Sequence, residues 1–119
     1  MSRIGPTVIV RGEVTSTDDI NIEGTIEGPI WCEGHAVTVA TSARIEGDVV
    51  ARDITVMGHI NGTLLSTEVV DIRATAEVDG RIVSGKLILH EGGLFHGTVE
   101  PQQVEAALTV ARHRRTHGS

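Results

Sequence analysis

The chain has almost no aromatic residues: among 119 residues there is one Trp, one Phe and no Tyr. Irregular helical or sandwich cores use several large rings to fill uneven interior space. A core built without them has to be narrow and regular, filled layer by layer with branched aliphatics. There is a single cysteine, Cys32, so no internal disulfide can form, which suits a reducing compartment. Basic residues are in the minority, with 10 Lys and Arg against 16 Asp and Glu and a formal charge of −6. That balance argues against nucleic acid as a partner, since phosphate binding needs a basic surface. No apolar run is long enough to span a bilayer, and Met1 to Val10 is too short and too polar in its first half to be a secretory signal. The chain therefore reads as a single intracellular domain.

What the chain does have is a repeat. Alternating apolar pairs begin at Ile20, Val37, Ile54, Val70 and Leu87, with successive starts 17, 17, 16 and 17 residues apart. Each unit then carries apolar-x-Gly-x-aliphatic: Ile26-x-Gly28-x-Ile30, Ile45-x-Gly47-x-Val49, Ile60-x-Gly62-x-Leu64, Val78-x-Gly80-x-Ile82 and Phe95-x-Gly97-x-Val99. The segment Val8-x-Val10-x-Gly12-x-Val14 has the form of a truncated first unit.

Period-two alternation marks half-buried strands, but bursts this short cannot bury a face alone. If the chain coils so that equivalent bursts stack about 4.8 Å apart, each pairs with its counterparts above and below. Three apolar positions per unit then give three faces round one core. Ile26, Ile45, Ile60, Val78 and Phe95 form one internal column; Ile30, Val49, Leu64, Ile82 and Val99 form a second; the alternating pairs form the third. Asn61-Gly62 and Asp79-Gly80 are good hairpin-turn pairs, so a sandwich of hairpins is the rival. It offers no reason for a constant period. Glycine at a fixed corner, where the backbone bends or packs closely, does.

The expected architecture is thus all-β, a single-domain three-faced parallel β-helix of about six rungs of ~17 residues. It divides into a short N-terminal tail at 1–7, the β-helix at 8–100, and a C-terminal tail at 101–119. Pro101 ends the strand pattern, and Val104, Ala107, Leu108 and Ala111 share one helical face, so the last segment has the pattern of a short, weakly amphipathic helix. The same segment gathers Arg112, Arg114 and Arg115 against Glu105, a basic end on an acidic chain.

Two surfaces follow from the rung pattern. With Ile30, Val49, Leu64 and Ile82 inward, Trp31, Val50, Leu65 and Val83 point outward as an exposed apolar stripe, a surface for a lateral partner or for the C-terminal tail. Cys32, Ala51, Ser66 and Ser84 then point back in, as small residues at a tight corner, and Glu100 ends the stripe. The second surface is the pair of ends, where a stack leaves unpaired backbone groups. Neither terminal rung carries an evident cap, so Val8 and Val10 at one end and Leu94 and Phe95 at the other are candidate end contacts.

Three stretches carry a resemblance to a known family: Ile4-Gly5-Pro6-Thr7-Val8-Ile9-Val10-Arg11-Gly12-Glu13, Ile22-Glu23-Gly24-Thr25-Ile26-Glu27-Gly28 and Gly93-Leu94-Phe95-His96-Gly97. Together they resemble a bactofilin over about residues 4–100. The resemblance implies a bacterial cytoskeletal protein with a right-handed β-helix, polymerising end to end without nucleotide into non-polar filaments. It implies a homopolymer that works with other bactofilins, cell-wall enzymes or chromosome-segregation proteins, in the cytoplasm or peripherally at the inner membrane. It also implies that Phe95 takes part in polymerisation. The segment before Ile4 is only Met1-Ser2-Arg3, shorter than the family's usual membrane-associating tail, which counts against direct membrane binding.

The alternative is a left-handed β-helix enzyme of the hexapeptide-repeat kind, holding a metal between subunits. His35, His59, His90 and His96 invite it, but that class needs a six-residue repeat and three converging ligands. Glu27, Glu46 and Asp79 recur at one rung position, as a solvated ladder. No catalytic triad order, phosphate loop or CxxC pair is present. The sequence gives no catalytic residue, cofactor or metal site.

Overall fold

The computed structural model describes residues 2–100. These form eleven strands: β1 (Ser2–Ile4), β2 (Ile9–Arg11), β3 (Val14–Thr15), β4 (Ile20–Ile22), β5 (Thr25–Glu27), β6 (Ile30–Val39), β7 (Arg44–Glu46), β8 (Val49–Val56), β9 (His59–Ile72), β10 (Glu77–Leu89) and β11 (Leu94–Val99). Every pairing among them is parallel. The chain is a parallel β-solenoid of about six turns, each strand lying on its counterpart one rung away.

Register follows the repeat. One internal column runs Val10, Ile26, Ile45, Ile60, Val78, Phe95. A second runs Val14, Ile30, Val49, Leu64, Ile82, Val99. The third face stacks Ile4, Ile22, Val39, Val56, Ile72 and Leu89. Ile22, Ile26, Ile30, Ile45, Ile54 and Leu64 are fully buried in this core. A slip of one residue in any strand would turn its aliphatics outward, so the core itself holds the register.

The expected tail at 1–7 contains β1, in which Ser2, Arg3 and Ile4 pair with Ile20, Asn21 and Ile22. The solenoid thus starts at Ser2, not Val8, because Ile4 completes the third face of the first rung. The segment 101–119, with its expected helix, lies outside the described residues.

Two kinds of corner explain how rungs of unequal content stack. Between the third face and the first column, four residues turn the chain at 5–8, 40–43, 73–76 and 90–93, whereas two suffice at 23–24 and 57–58. The four-residue corners close as β-turns, with the Val8 N–H donating to the Gly5 carbonyl at 3.1 Å and Ala43 to Ala40 at 2.9 Å. The corner between the two columns is made each time by glycine with positive φ: Gly12, Gly28, Gly47, Gly62, Gly80 and Gly97. A Cβ on Gly62 would stand 2.2 Å from the Gly47 carbonyl oxygen. Only a residue without one allows the rungs to close there.

Candidate assembly surfaces

The expected inward corner residues are indeed buried: Cys32 at 0%, Ala51 at 1%, Ser66 at 0% and Ser84 at 1% exposure. The serines also complete the backbone bonding of the corner, which their small size alone did not announce. Ser66 Oγ donates to the Arg52 carbonyl (2.6 Å) and accepts from the Glu68 N–H (3.2 Å). Ser84 Oγ donates to the Lys86 carbonyl (2.7 Å) and accepts from its N–H (3.2 Å). Cys32 takes the equivalent place two rungs below Ser66, its Sγ 3.3 Å from the Asp18 carbonyl. Burial pushes its thiol pKa up from the ordinary 9.0.

Trp31, Val50, Leu65 and Val83 do stack on one outer face, in register through β6, β8, β9 and β10. They form an apolar cluster of their own, separate from the core. The stripe is not bare, however. Val50, Leu65 and Val83 are only 6, 4 and 0% exposed, and Trp31 packs half-buried beside them. Alternation fixes the direction in which a side chain points; what lies over it is a separate matter.

The two ends of the solenoid are where the internal columns stop. At the N-terminal end Ile4, Val10 and Val14 are half-buried, packed on the core from one side only. Val8 is 42% exposed, and Ile9, which the repeat did not single out, is 63% exposed. At the C-terminal end Phe95 and Leu87 are the half-buried terminal members, while Leu89, Leu94 and Val99 are 51, 52 and 38% exposed. Of the four expected end residues, Val8 and Val10 lie at one end and Leu94 and Phe95 at the other. Leu89 and Val99 join them as the last described members of their inward-facing columns. Each end therefore offers a cross-section of the core as an apolar patch, rimmed by strand edges.

The histidines do not converge. His35 lies 3.8 Å from Asp19, His59 3.0 Å from Glu77 and His90 2.8 Å from Asp71, three separate exposed pairs. Among the described residues, no group of three or more His, Cys, Asp or Glu could hold a metal ion. Glu27, Glu46 and Asp79 fall in one outer column with Arg11, Asn61 and His96, and Arg11 pairs with Glu27 at 3.6 Å. No described helix is long and apolar enough to cross a membrane.

Open ends, a single aliphatic core and parallel rung stacking over 2–100 coincide with a family match over the same residues: the bactofilin model, described as polymer-forming cytoskeletal, covers residues 2–100. The chain belongs to the bactofilin family. Three bactofilins of Myxococcus xanthus (strain DK1622) are similar to it. BacO is 24% identical over 86% of this chain and 80% of its own length. BacN is 30% identical over 82% of this chain and 85% of its own length. BacP is 26% identical over 86% of this chain but only 42% of its own length, so that bactofilin is much the longer protein. The bactofilin solenoid is also the fold of a solved structure, a cryo-EM reconstruction of Thermus thermophilus bactofilin double helical filaments. It superposes with a TM-score of 0.74 at 24% identity, over 83% of this chain and 97% of the other.

Proposed function

We propose that this bactofilin is a self-assembling cytoskeletal scaffold whose solenoids join end to end, C-terminal rung to C-terminal rung and N-terminal rung to N-terminal rung. The product is a non-polar filament that forms without nucleotide. The observation that carries the reading is the state of the two terminal rungs. Both present the open cross-section of the aliphatic core, and both are strand edges. Natural solenoids used as monomers hide such ends under polar caps. The family description as polymer-forming cytoskeletal and the filaments formed by the Thermus thermophilus relative support the reading.

In this proposal the protein acts by position, not catalysis, and binds no cofactor. It works in the cytoplasm, where its filaments hold cell-shape, cell-wall or chromosome-segregation proteins and join with other bactofilins. Electron microscopy of the purified full-length chain, in buffer free of nucleotide and metal, tests the assembly. Filaments with two-fold symmetry between successive subunits are expected. A protein that stays monomeric at micromolar concentration would overturn the proposal, and head-to-tail subunits would overturn its non-polar part.

A further inference from the structure

Each turn of the solenoid climbs one strand spacing, about 4.8 Å, so each end is a ramp with a step where the turn closes. At the C-terminal end the outermost edge among the described residues runs through Lys86–Leu89, Leu94–His96 and Thr98–Glu100. Glu100 stands one rung above Val83, its N–H donating to the Ile82 carbonyl at 2.8 Å. Lys86 instead continues from Val83 through Ser84 and Gly85, one rung lower. The step therefore falls at the Ser84 corner. At the N-terminal end the edge runs through Ser2–Ile4, Ile9–Arg11 and Val14–Thr15. Its step falls at the matching corner, Ser16, after which the chain passes above Ser2 at Ile20.

Joints between like ends, as proposed above, require a two-fold axis across the solenoid. Turning a ramp over about such an axis gives a ramp of the same hand and slope, so two like ramps can meet at an even spacing all the way round. They do so only where their steps coincide, which places the two-fold through the step corner. On a three-faced solenoid a line from that corner through the centre crosses the middle of the opposite face. That face is the first column's, closed by Val10 at one end and Phe95 at the other. The rotation exchanges the other two faces.

Strands across such a joint run antiparallel, and inward residues oppose inward residues. The edge strand Leu94-Phe95-His96 therefore opposes itself, centred on Phe95, with Leu94 against His96 of the second copy. Val83 and Lys86 stand equally far from the Ser84-Gly85 corner, so Glu100, above Val83, opposes Lys86, and Val99 opposes Leu87. The equivalent positions at the N-terminal end set Val10 on itself and Glu13 against Arg3.

Charge supports the placement independently, since the ramps were matched without reference to it. An acid meets a base at both joints. Glu100 already pairs with Arg81, and Arg3 with Glu23, within one copy. Each joint therefore extends a pair into a triplet of alternating sign. The apolar content differs, however. The inward positions Leu87, Leu89, Phe95 and Val99 at the C-terminal end correspond to Ser2, Ile4, Val10 and Val14 at the other. A serine stands in place of a leucine and a valine in place of the ring, so the C-terminal joint buries more apolar surface.

We infer that both joints are two-folds set on the step corner, with Phe95 facing Phe95 and Glu100 facing Lys86 across the C-terminal one. That joint is the tighter, so a pair of chains joined there is the unit from which filaments grow. The inference rests on the end-to-end reading given above.

Disulfide linkage tests it in a Cys32→Ser background, serine being the residue that Ser66 and Ser84 place at that corner. Opposed antiparallel residues bring their Cα atoms within about 5.5 Å, inside disulfide reach. Glu100 and its own counterpart stand about three residues apart along the edge, about 10 Å, beyond it. Full-length Glu100→Cys and Lys86→Cys chains, co-expressed and oxidised with diamide, should form a linked pair that neither variant forms alone. Leu94→Cys with His96→Cys should behave in the same way. On dilution below the filament-forming concentration, the species left should be a dimer that still links through residues 86 and 100. Self-linkage of Glu100→Cys, or no linkage of either mixed pair within non-polar filaments, would overturn the placement of the axis. Dilution straight to monomers would overturn the tighter C-terminal joint. Linkage of Glu100→Cys to Thr15→Cys, which a head-to-tail joint would align, would overturn the non-polar reading itself.

Discussion

Phe95 lies in register on Val78, as the largest side chain in a column otherwise made of Val10, Ile26, Ile45, Ile60 and Val78. It is also the terminal member, packed on the core from below and half-exposed above. A ring at the top of a column of branched aliphatics spreads beyond the cross-section it closes. In the proposed end-to-end assembly it belongs partly to the core of its own copy and partly to the copy that meets the C-terminal end.

Phe95→Arg is expected to block that end without unfolding the stack. The half-exposed position lets the Arg stem cover Val78 while the charge reaches water; a facing copy would trap the charge unpaired. If the filaments are non-polar, the N-terminal contact survives and the product is a dimer. Light scattering coupled to size exclusion distinguishes this from the monomer that a head-to-tail filament would give. Filaments of wild-type length would show that Phe95 has no part in the contact.

The glycine corner should discriminate sharply between rungs. Gly62 has a φ of 151° and a Cβ there would meet the Gly47 oxygen at 2.2 Å, so Gly62→Ala combines backbone strain with a backbone clash. Strain of this kind alone costs about 1–3 kcal/mol, and the clash adds to it. Gly12 has a φ of 129° but nothing within 4 Å of an added Cβ, because no rung lies below it. Gly12→Ala should therefore lose only the strain energy. Urea melts of the two variants, made in the Phe95→Arg background to limit assembly, should place Gly62→Ala well below Gly12→Ala. Equal losses would mean that the rungs adjust at this corner more easily than the structure implies.

Cys32 should behave as a buried thiol. Its pKa is raised by burial, so at a given pH it holds less thiolate than a free cysteine and should react slowly with iodoacetamide until the rungs unfold. The same shift links stability to pH. The unfolded chain ionises first, near 9.0, so the stabilisation is complete below that value and is lost as pH rises from it through the folded-state pKa. Alkylation followed by mass spectrometry at pH 8, with and without urea, checks the first point. Rapid labelling in the absence of urea would show that the corner opens readily.

The core was legible because rung stacking makes period and register the same thing. Each residue of Ile26-x-Gly28-x-Ile30 finds its partner in the next copy of that motif. The corners were less legible. Starts of this motif are 19, 15, 18 and 17 residues apart, far less even than those of the alternating pairs. The scatter comes largely from corners of four residues in some rungs and two in others.

Strand β1 escaped notice because Ser2-Arg3-Ile4 carries only one apolar residue; its pairing with Ile20–Ile22 is set by the rung above it. Ile9, Leu89 and Val99 escaped for the converse reason. Their exposure comes from a missing neighbour, and a repeat records what recurs. The burial of Val50, Leu65 and Val83 was out of reach of periodicity too, since alternation separates inside from outside and stops there.

The corner glycines give the molecule a direction. From Gly28 to Gly97, the missing Cβ would point at the corner glycine one rung nearer the N-terminus, never at the one beyond. The two faces of a rung are thus as different as the two sides of a tile, one recessed at the corner and one filling that recess. Gly12 alone among the corner glycines keeps its recess empty, and Gly97 ends the series among the described residues. A solenoid of this kind has no mirror plane across its axis, so a joint between like ends must solve a different packing problem from the joints inside it.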